Sequence, residues 1–205
     1  MSGPSGVLKT SAGMNARTPV VTMTLTAVTT ALVLIVTYFA SVPLPATQGQ
    51  VFDGGDIMIF ITSMTFGPII GGFAGGVGSG LSDALHGYSY FAPFTLVIKG
   101  SEGLVAGYLA QRSLRGKQLP LAWLSGSVLM VSGYFAAESY FIGLVFGTSN
   151  LPGIAAALLE LPFNVLQVFA GGLIGIPVSR NLKKSLPSIL FAAKQRDKNP
   201  SPGNG

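Results

Sequence analysis

Residues 69–108 read IIGGFAGGVGSGLSDALHGYSYFAPFTLVIKGSEGLVAGY. This is the pattern of two membrane helices, one rich in glycine and one carrying a lysine and a glutamate where lipid-facing residues would stand, joined by a short aromatic turn. Six of the ten residues from Gly71 to Gly80 are glycine. They fall in two rows of period four, Gly72, Gly76, Gly80 and Gly71, Gly75, Ser79. In water each helical glycine costs about 1 kcal/mol relative to alanine, so the stretch makes a poor soluble helix. In a bilayer the same small-residue rows let helix backbones approach closely, where no hydrophobic drive separates helix from lipid. The reading is a thin helix over Gly71–Leu85, buried inside a bundle.

Composition points the same way. Apolar residues make up 49% of the chain and charged residues 9%, against about 25% charged in an ordinary soluble domain. The 205 residues leave room for six spans and little else, since each span takes about 20 residues. There are no cysteines, which excludes disulfides, thiolate metal sites and cysteine catalysis. The net charge of +5 would suit a nucleic-acid partner if the basic residues clustered on a polar face. They flank the apolar runs instead, so the expected surroundings are membrane lipid.

In chain order, residues 1–18 are Gly/Ser-rich without apolar period and read as a disordered tail. A first span runs from Pro19 to about Val42, too long for a signal-peptide core, and a polar loop follows to Gly55. The 32 residues from Asp56 to Gly87 hold either one long span or two short ones with a turn around Gly67–Gly72. Charge decides between them. Arg112, Arg115 and Lys117 form one basic loop, and Arg180, Lys183, Lys184, Lys194, Arg196 and Lys198 lie at the far end. The positive-inside rule sets these on the same side as Lys9 and Arg17, which requires an even number of crossings before Gln111. Asp56–Gly87 then crosses twice, span four is Ala92–Ala110, span five Leu119–Phe146 and span six Pro152–Arg180. The expected fold is an all-α, compact six-helix bundle over residues 19–185, multi-pass in the plasma membrane. Both termini are cytoplasmic, and residues 186–205 form a second tail.

Lys99 is the one basic residue left in the membrane, where a charge at mid-depth costs roughly 2.5–3.5 kcal/mol on insertion scales and so faces a cavity or a partner. Asp83, Glu102, Glu138 and Glu160 accompany it. Thr95, Lys99 and Glu102 share a helical face by their i, i+4, i+7 spacing, as do Tyr134, Glu138 and Phe141, and Glu160, Asn164 and Gln167. Three polar faces at similar depth describe a pocket open to the outside. The plainer alternative is a set of struts: Lys99 paired with Glu102 on its own helix or with Glu138 or Glu160 across helices, and Asn164 and Gln167 bonding between helices. Asp83 serves equally as a cap or brace, and His86 reads as an interfacial residue beside the aromatic belt of Tyr88, Tyr90 and Phe91. Asp53 and Asp56 suit an outer lid.

Other chemistries fail on spacing. A phosphate loop needs lysine after its last glycine, and Leu81 follows Gly80. A serine nucleophile at Ser79 would have only His86 as base, seven residues on and in the outer loop. A single histidine with scattered carboxylates gives no metal site. The expectation is no enzyme, no metal and no cofactor.

The string FDGGDIMIFITSMTFGPIIGGFAGGVGSGLSDALHGYSYFAPFTLVIKGSEGLVAGYLA resembles the substrate-binding S components of energy-coupling-factor (ECF) vitamin transporters. Within them it is most similar to the riboflavin-type branch, through Gly55-Asp56, the glycine turn ending in Ser82-Asp83, and TLVIKGSEG. LELPFNVLQVFAGGLIGIPVSR resembles the last helix of the same group, with Glu160, Pro162, Asn164 and Gln167 in matching places, so the likeness covers about residues 20–182. It implies a six-helix protein that binds a vitamin or precursor from outside, in the outer halves of spans four to six, under the loop between spans one and two. It also implies docking through span one, at an A-x-x-x-A pair supplied by Ala27 and Ala31, on a transmembrane coupling protein driven by two ATPases. Met23 and Ile35 do not extend that small-residue row. Lys99 would donate to a ring carbonyl, phosphate or carboxylate, and Glu138 or Glu160 would accept from ring amino or hydroxyl groups; riboflavin, pyridoxine and a pyrimidine all fit. The reading of another class is an autonomous secondary transporter or proton-coupled channel with Lys99 and the glutamates as relay; a third is an assembly subunit.

Overall fold

The computed structural model describes residues 19–43, 51–112, 118–145 and 150–186. Its helices are α1 (Pro19–Phe39), α2 (Gly55–Phe66), α3 (Pro68–Leu85), α4 (Ala92–Gln111), α5 (Leu119–Val145) and α6 (Asn150–Ser185). Between α1 and α2, β1 (Ser41–Pro43) pairs antiparallel with β2 (Val51–Asp53), in the register Ser41 to Asp53 and Val42 to Phe52. The tail expected at 1–18, and all but the first residue of the one expected at 186–205, lie outside the described residues, as do residues 44–50.

Three of the helices, α1, α5 and α6, are long and apolar enough to cross a membrane. The chain is an all-α membrane protein with one short hairpin. The first expected span ends earlier than the apolar pattern suggests, at Phe39 rather than Val42. Val42 is apolar but belongs to β1, and Pro43, lacking an N–H, cannot extend a helix. α2 has 12 residues and rises about 18 Å. The turn expected within 67–72 is a break at Gly67, whose φ of 103° is open to glycine and strained for other residues, with Pro68 opening α3.

α3 is the hub. Its Gly72, Gly76, Gly80 row lies against α4: a Cβ on Gly76 would come within 2.6 Å of the Leu96 carbonyl oxygen, and one on Gly80 within 3.2 Å of that of Ala92. Gly71 abuts Ser63 of α2, and Gly78 meets Val33 and the Thr30 carbonyl of α1. Thus each expected glycine row faces a neighbouring helix. The contacts run antiparallel, with Gly107 beside Pro68 at one end of the α3–α4 pair and Gly80 beside Ala92 at the other.

α1 packs on α3 through its buried Thr29, Val33 and Thr37. Thr29 and Thr30 satisfy themselves within the helix, donating to the carbonyls of Leu25 and Thr26 at 2.7 Å each, so these hydroxyls sit in an apolar helix without unpaired donors. On the other side, α5 and α6 close over Phe60 of α2, which touches Gly126, Gly171 and Gly175. Trp123 donates its indole N–H to the Val168 carbonyl at 2.7 Å. The core of Phe60, Met64, Ala106, Ala110, Leu119 and Ala122 fills the end of the bundle where α4 finishes and α5 begins. Lys183 reaches the Ala110 carbonyl there. The polar residues gather at the opposite end.

Candidate functional site

At that end the helices form a narrow cleft with an open mouth. Its wall is built from five of the helices and the hairpin. α6 supplies Glu160, Asn164 and Gln167, α5 supplies Met130 and Tyr134, and α4 with the residue before it supplies Phe91, Thr95 and Lys99. Thr37 of α1, Asp53 of β2, and Ser79 and Asp83 of α3 complete it. The i, i+4, i+7 spacing does what helical geometry requires: Glu160, Asn164 and Gln167 are all buried on one face of α6, and Thr95, Lys99 and Glu102 on one face of α4.

Lys99 is 1% exposed, and its Nζ is paired with an Asp56 carboxylate oxygen. Glu102 stands 4.0 Å from the same ammonium. The ring of Tyr134 lies 5.6 Å away beneath the cation. The interhelical partner of Lys99 is therefore Asp56, where the sequence suggested Glu138 or Glu160. Asp56 does not belong to an outer lid: it sits in the first turn of α2, fully buried. The boundary lies one residue earlier than the loop composition implies, because Gly55 already begins the helix. Breaking such a buried pair by removing one partner costs about 3–5 kcal/mol.

A second polar chain crosses the cleft. The Tyr134 hydroxyl donates to Thr95 Oγ1 at 3.1 Å, with Asp83 beside them on the same wall. On the α5–α6 side, the buried Glu160 stands beside Glu138 and Asn164. Glu102 and Glu138 do not line the cleft; they lie fully buried behind Lys99 and Glu160.

The hairpin closes one side. Asp53 donates its backbone N–H to Gln167 Oε1 at 3.4 Å and accepts from the Gly55 N–H at 2.6 Å through Oδ1. Burial pushes the Asp53 carboxyl up to about 6, against the pull of the Lys99 cation. At the other edge Ser41 Oγ shares a hydrogen bond with His86 Nε2 at 3.0 Å, and the imidazole lies tilted against the Tyr38 ring with centroids 4.4 Å apart. His86 thus ties the ends of α1 and α3 together.

Of the sequence-predicted residues, Thr95, Lys99, Tyr134, Glu160, Asn164, Gln167 and Asp53 come together on the cleft. Thr37, Ser79 and Met130 were missed, and Asp83 and Phe91, read as a brace and as part of an aromatic belt, line the cleft as well. Thr37 and Ser79 sit on helices whose spacing spoke only of packing, and Met130 has no polar atom to mark it; Ser79, at the open end of a glycine row, carried the one legible signal. Ala27 and Ala31 are exposed on α1, away from the cleft.

Comparison with known proteins follows the same outline. Residues 17–184 match the sequence model of a family described as ECF-type riboflavin transporter, S component. A protein of Pyrococcus woesei, described as an uncharacterized protein in the gap 3′ region, is 38% identical over 158 residues, 77% of this chain and 99% of that one. The thiamine precursor transporter HmpT of Lactococcus lactis is 28% identical over 149 residues, 73% of this chain and 80% of that one.

Proposed function

The chain belongs to the ECF-type riboflavin transporter S-component family, and we propose that it captures a vitamin or vitamin precursor from outside the cell and delivers it inward with a transmembrane coupling protein and two ATPases. The observation that carries this reading is the cleft itself: buried charged and amide side chains from α4 and α6, with the Tyr134 hydroxyl of α5, converge on one space at a single end of the bundle. A structural bundle has no need to bury so many polar groups around a void, since each costs free energy unless it is paired.

In this reading the six helices all cross the plasma membrane, residues 19–185 forming the transmembrane domain and residues 1–18 and 186–205 the cytoplasmic tails. Arg112, Arg180, Lys183 and Lys184 then mark the inner face and the cleft opens outward, in line with the positive-inside rule. Thr95, Tyr134, Glu160, Asn164 and Gln167 contact the ligand, Asp53 closes over it, and Lys99, Glu102 and Glu138 hold the wall. Ala27 and Ala31 lie on the exposed face of α1, among Met23, Val28, Leu32 and Ile35; that face docks on the coupling protein. The ligand is a polar ring compound of the size of riboflavin, pyridoxine or a substituted pyrimidine, and the name of the Lactococcus relative adds weight to the last.

Uptake of labelled vitamins into proteoliposomes tests the assignment. Uptake that needs the coupling protein, both ATPases and ATP supports it. Uptake by the chain alone, abolished by an uncoupler, would establish the second reading, an autonomous proton-coupled transporter, which the two buried acidic groupings, Asp56 with Glu102 and Glu138 with Glu160, also suit.

A further inference from the structure

The charges around the cleft restrict what it can hold. Its one cation among the described residues, Lys99, is matched by Asp56, with Glu102 close behind. Three further carboxyl groups, those of Asp53, Asp83 and Glu160, stand on the wall. An anionic ligand would therefore meet carboxyl groups with no unmatched cation among the described residues to receive it. Such a charge costs far more than it would in water.

The unpartnered atoms point the same way. Among the described residues, Glu160 Oε2, Ser79 Oγ and Thr37 Oγ1 are buried without a hydrogen-bond partner, and all three belong to residues on the cleft wall. Glu160 is 4% exposed and the other two 1% each. A carboxylate oxygen only accepts, and a hydroxyl accepts as well as donates. Donors on a ligand would therefore satisfy all three atoms. Opposite α6 stands Phe91, itself buried and packed edge-on against Phe94 with centroids 6.4 Å apart; its ring is a fixed apolar surface on which a flat heterocycle can lie.

We infer that the site selects an uncharged or protonated amino-bearing heterocycle, seated against Phe91 with its ring amino group donating to Glu160 Oε2, and that it rejects the phosphorylated form of the same compound. This inference rests on the solute-binding reading above and narrows it to one ligand chemistry. Lys99 on this account holds the wall and does not receive phosphate.

The test uses the detergent-purified full chain and competition binding with four probes: a 4-aminopyrimidine bearing a hydroxymethyl arm, its 4-oxo counterpart, its phosphate ester, and riboflavin. The amino compound should bind at least about thirtyfold more tightly than the oxo compound, since exchanging a donor for an acceptor before a buried carboxylate leaves that group unpaired. It should exceed the phosphate ester by at least as much. In Glu160→Gln the amino-to-oxo ratio should fall toward one; the wild-type ratio decides the question even where that variant does not fold. Equal or tighter binding of the oxo compound or of the ester overturns the inference. Riboflavin binding without the aminopyrimidine overturns it too while leaving the solute-binding reading intact, and absence of binding by every probe to folded protein overturns both.

Discussion

Replacing Gly76 by alanine separates two opposed effects. Alanine is the better helix former by about 1 kcal/mol, so on propensity alone Gly76→Ala stabilises α3. The new Cβ, however, would lie 2.6 Å from the Leu96 carbonyl oxygen and 3.2 Å from Gly100 Cα. Both are backbone atoms of α4 and cannot swing aside as a side chain would. Nor can α3 recede, because Gly78 already holds it against Val33, where a Cβ would sit at 2.9 Å, and Gly71 holds it against Ser63. The strain of overpacking is about 1–3 kcal/mol, which outweighs the propensity gain at all but its lower limit. We expect Gly76→Ala to lose about 1–2 kcal/mol in reversible unfolding by SDS in mixed micelles. Gly80→Ala, whose Cβ would lie 3.2 Å from the Ala92 carbonyl oxygen, should stay within about 0.5 kcal/mol of wild type, the two effects nearly cancelling. A Gly76→Ala protein as stable as wild type, or more so, would refute the close-packed α3–α4 seam.

Three further outcomes follow from the polar end of the bundle. Lys99→Met leaves Asp56 and Glu102 buried without a cation and should destabilise the protein by about 3–5 kcal/mol; in a double-mutant cycle with Asp56→Asn the two losses should be far from additive. The Asp53 carboxyl, raised by burial to about 6 from 3.8, binds its proton more tightly folded than unfolded. Its contribution is therefore unchanged below pH 4 and destabilising above pH 6, and stability should fall by about 2–3 kcal/mol between them, a slope that Asp53→Asn removes. His86→Ala deletes the bond to Ser41 and should speed amide hydrogen exchange in β1 and β2 about fivefold, corresponding to about 1 kcal/mol, with α5 unaffected.

The glycine rows were legible because small residues every four positions have few uses other than close helix contact, and α3 uses both of its rows that way. The cleft was legible where polar residues recur at helical spacing, as in Glu160, Asn164 and Gln167, since a membrane helix carries such a face only toward a cavity or a partner. The Lys99–Asp56 pair was not, because the two residues are 43 positions apart and Asp56 adjoins a glycine-rich loop whose composition masks the start of α2. The end of α1 was overrun for a related reason: Val42 has the hydropathy of a span, but its backbone is claimed by pairing with Phe52. Thr37 and Ser79 show a further limit. A hydroxyl on an apolar helix usually bonds back to its own helix, as Thr29 and Thr30 do, and only the folded arrangement distinguishes the ones left facing the cleft.

Solute capture in the cleft is the central claim, and ligand-dependent stability tests it most directly. A thermal-shift screen of the purified chain against vitamins and their precursors should find a compound that raises stability by about 4 kcal/mol at a thousandfold excess over its Kd. Asn164→Ala, which takes an amide away from the buried Glu160, should lose about 1–3 kcal/mol when unliganded and, beyond that, most of the ligand-induced shift. A folded wild-type protein that no compound stabilises, or a shift of equal size in Asn164→Ala, would contradict the account.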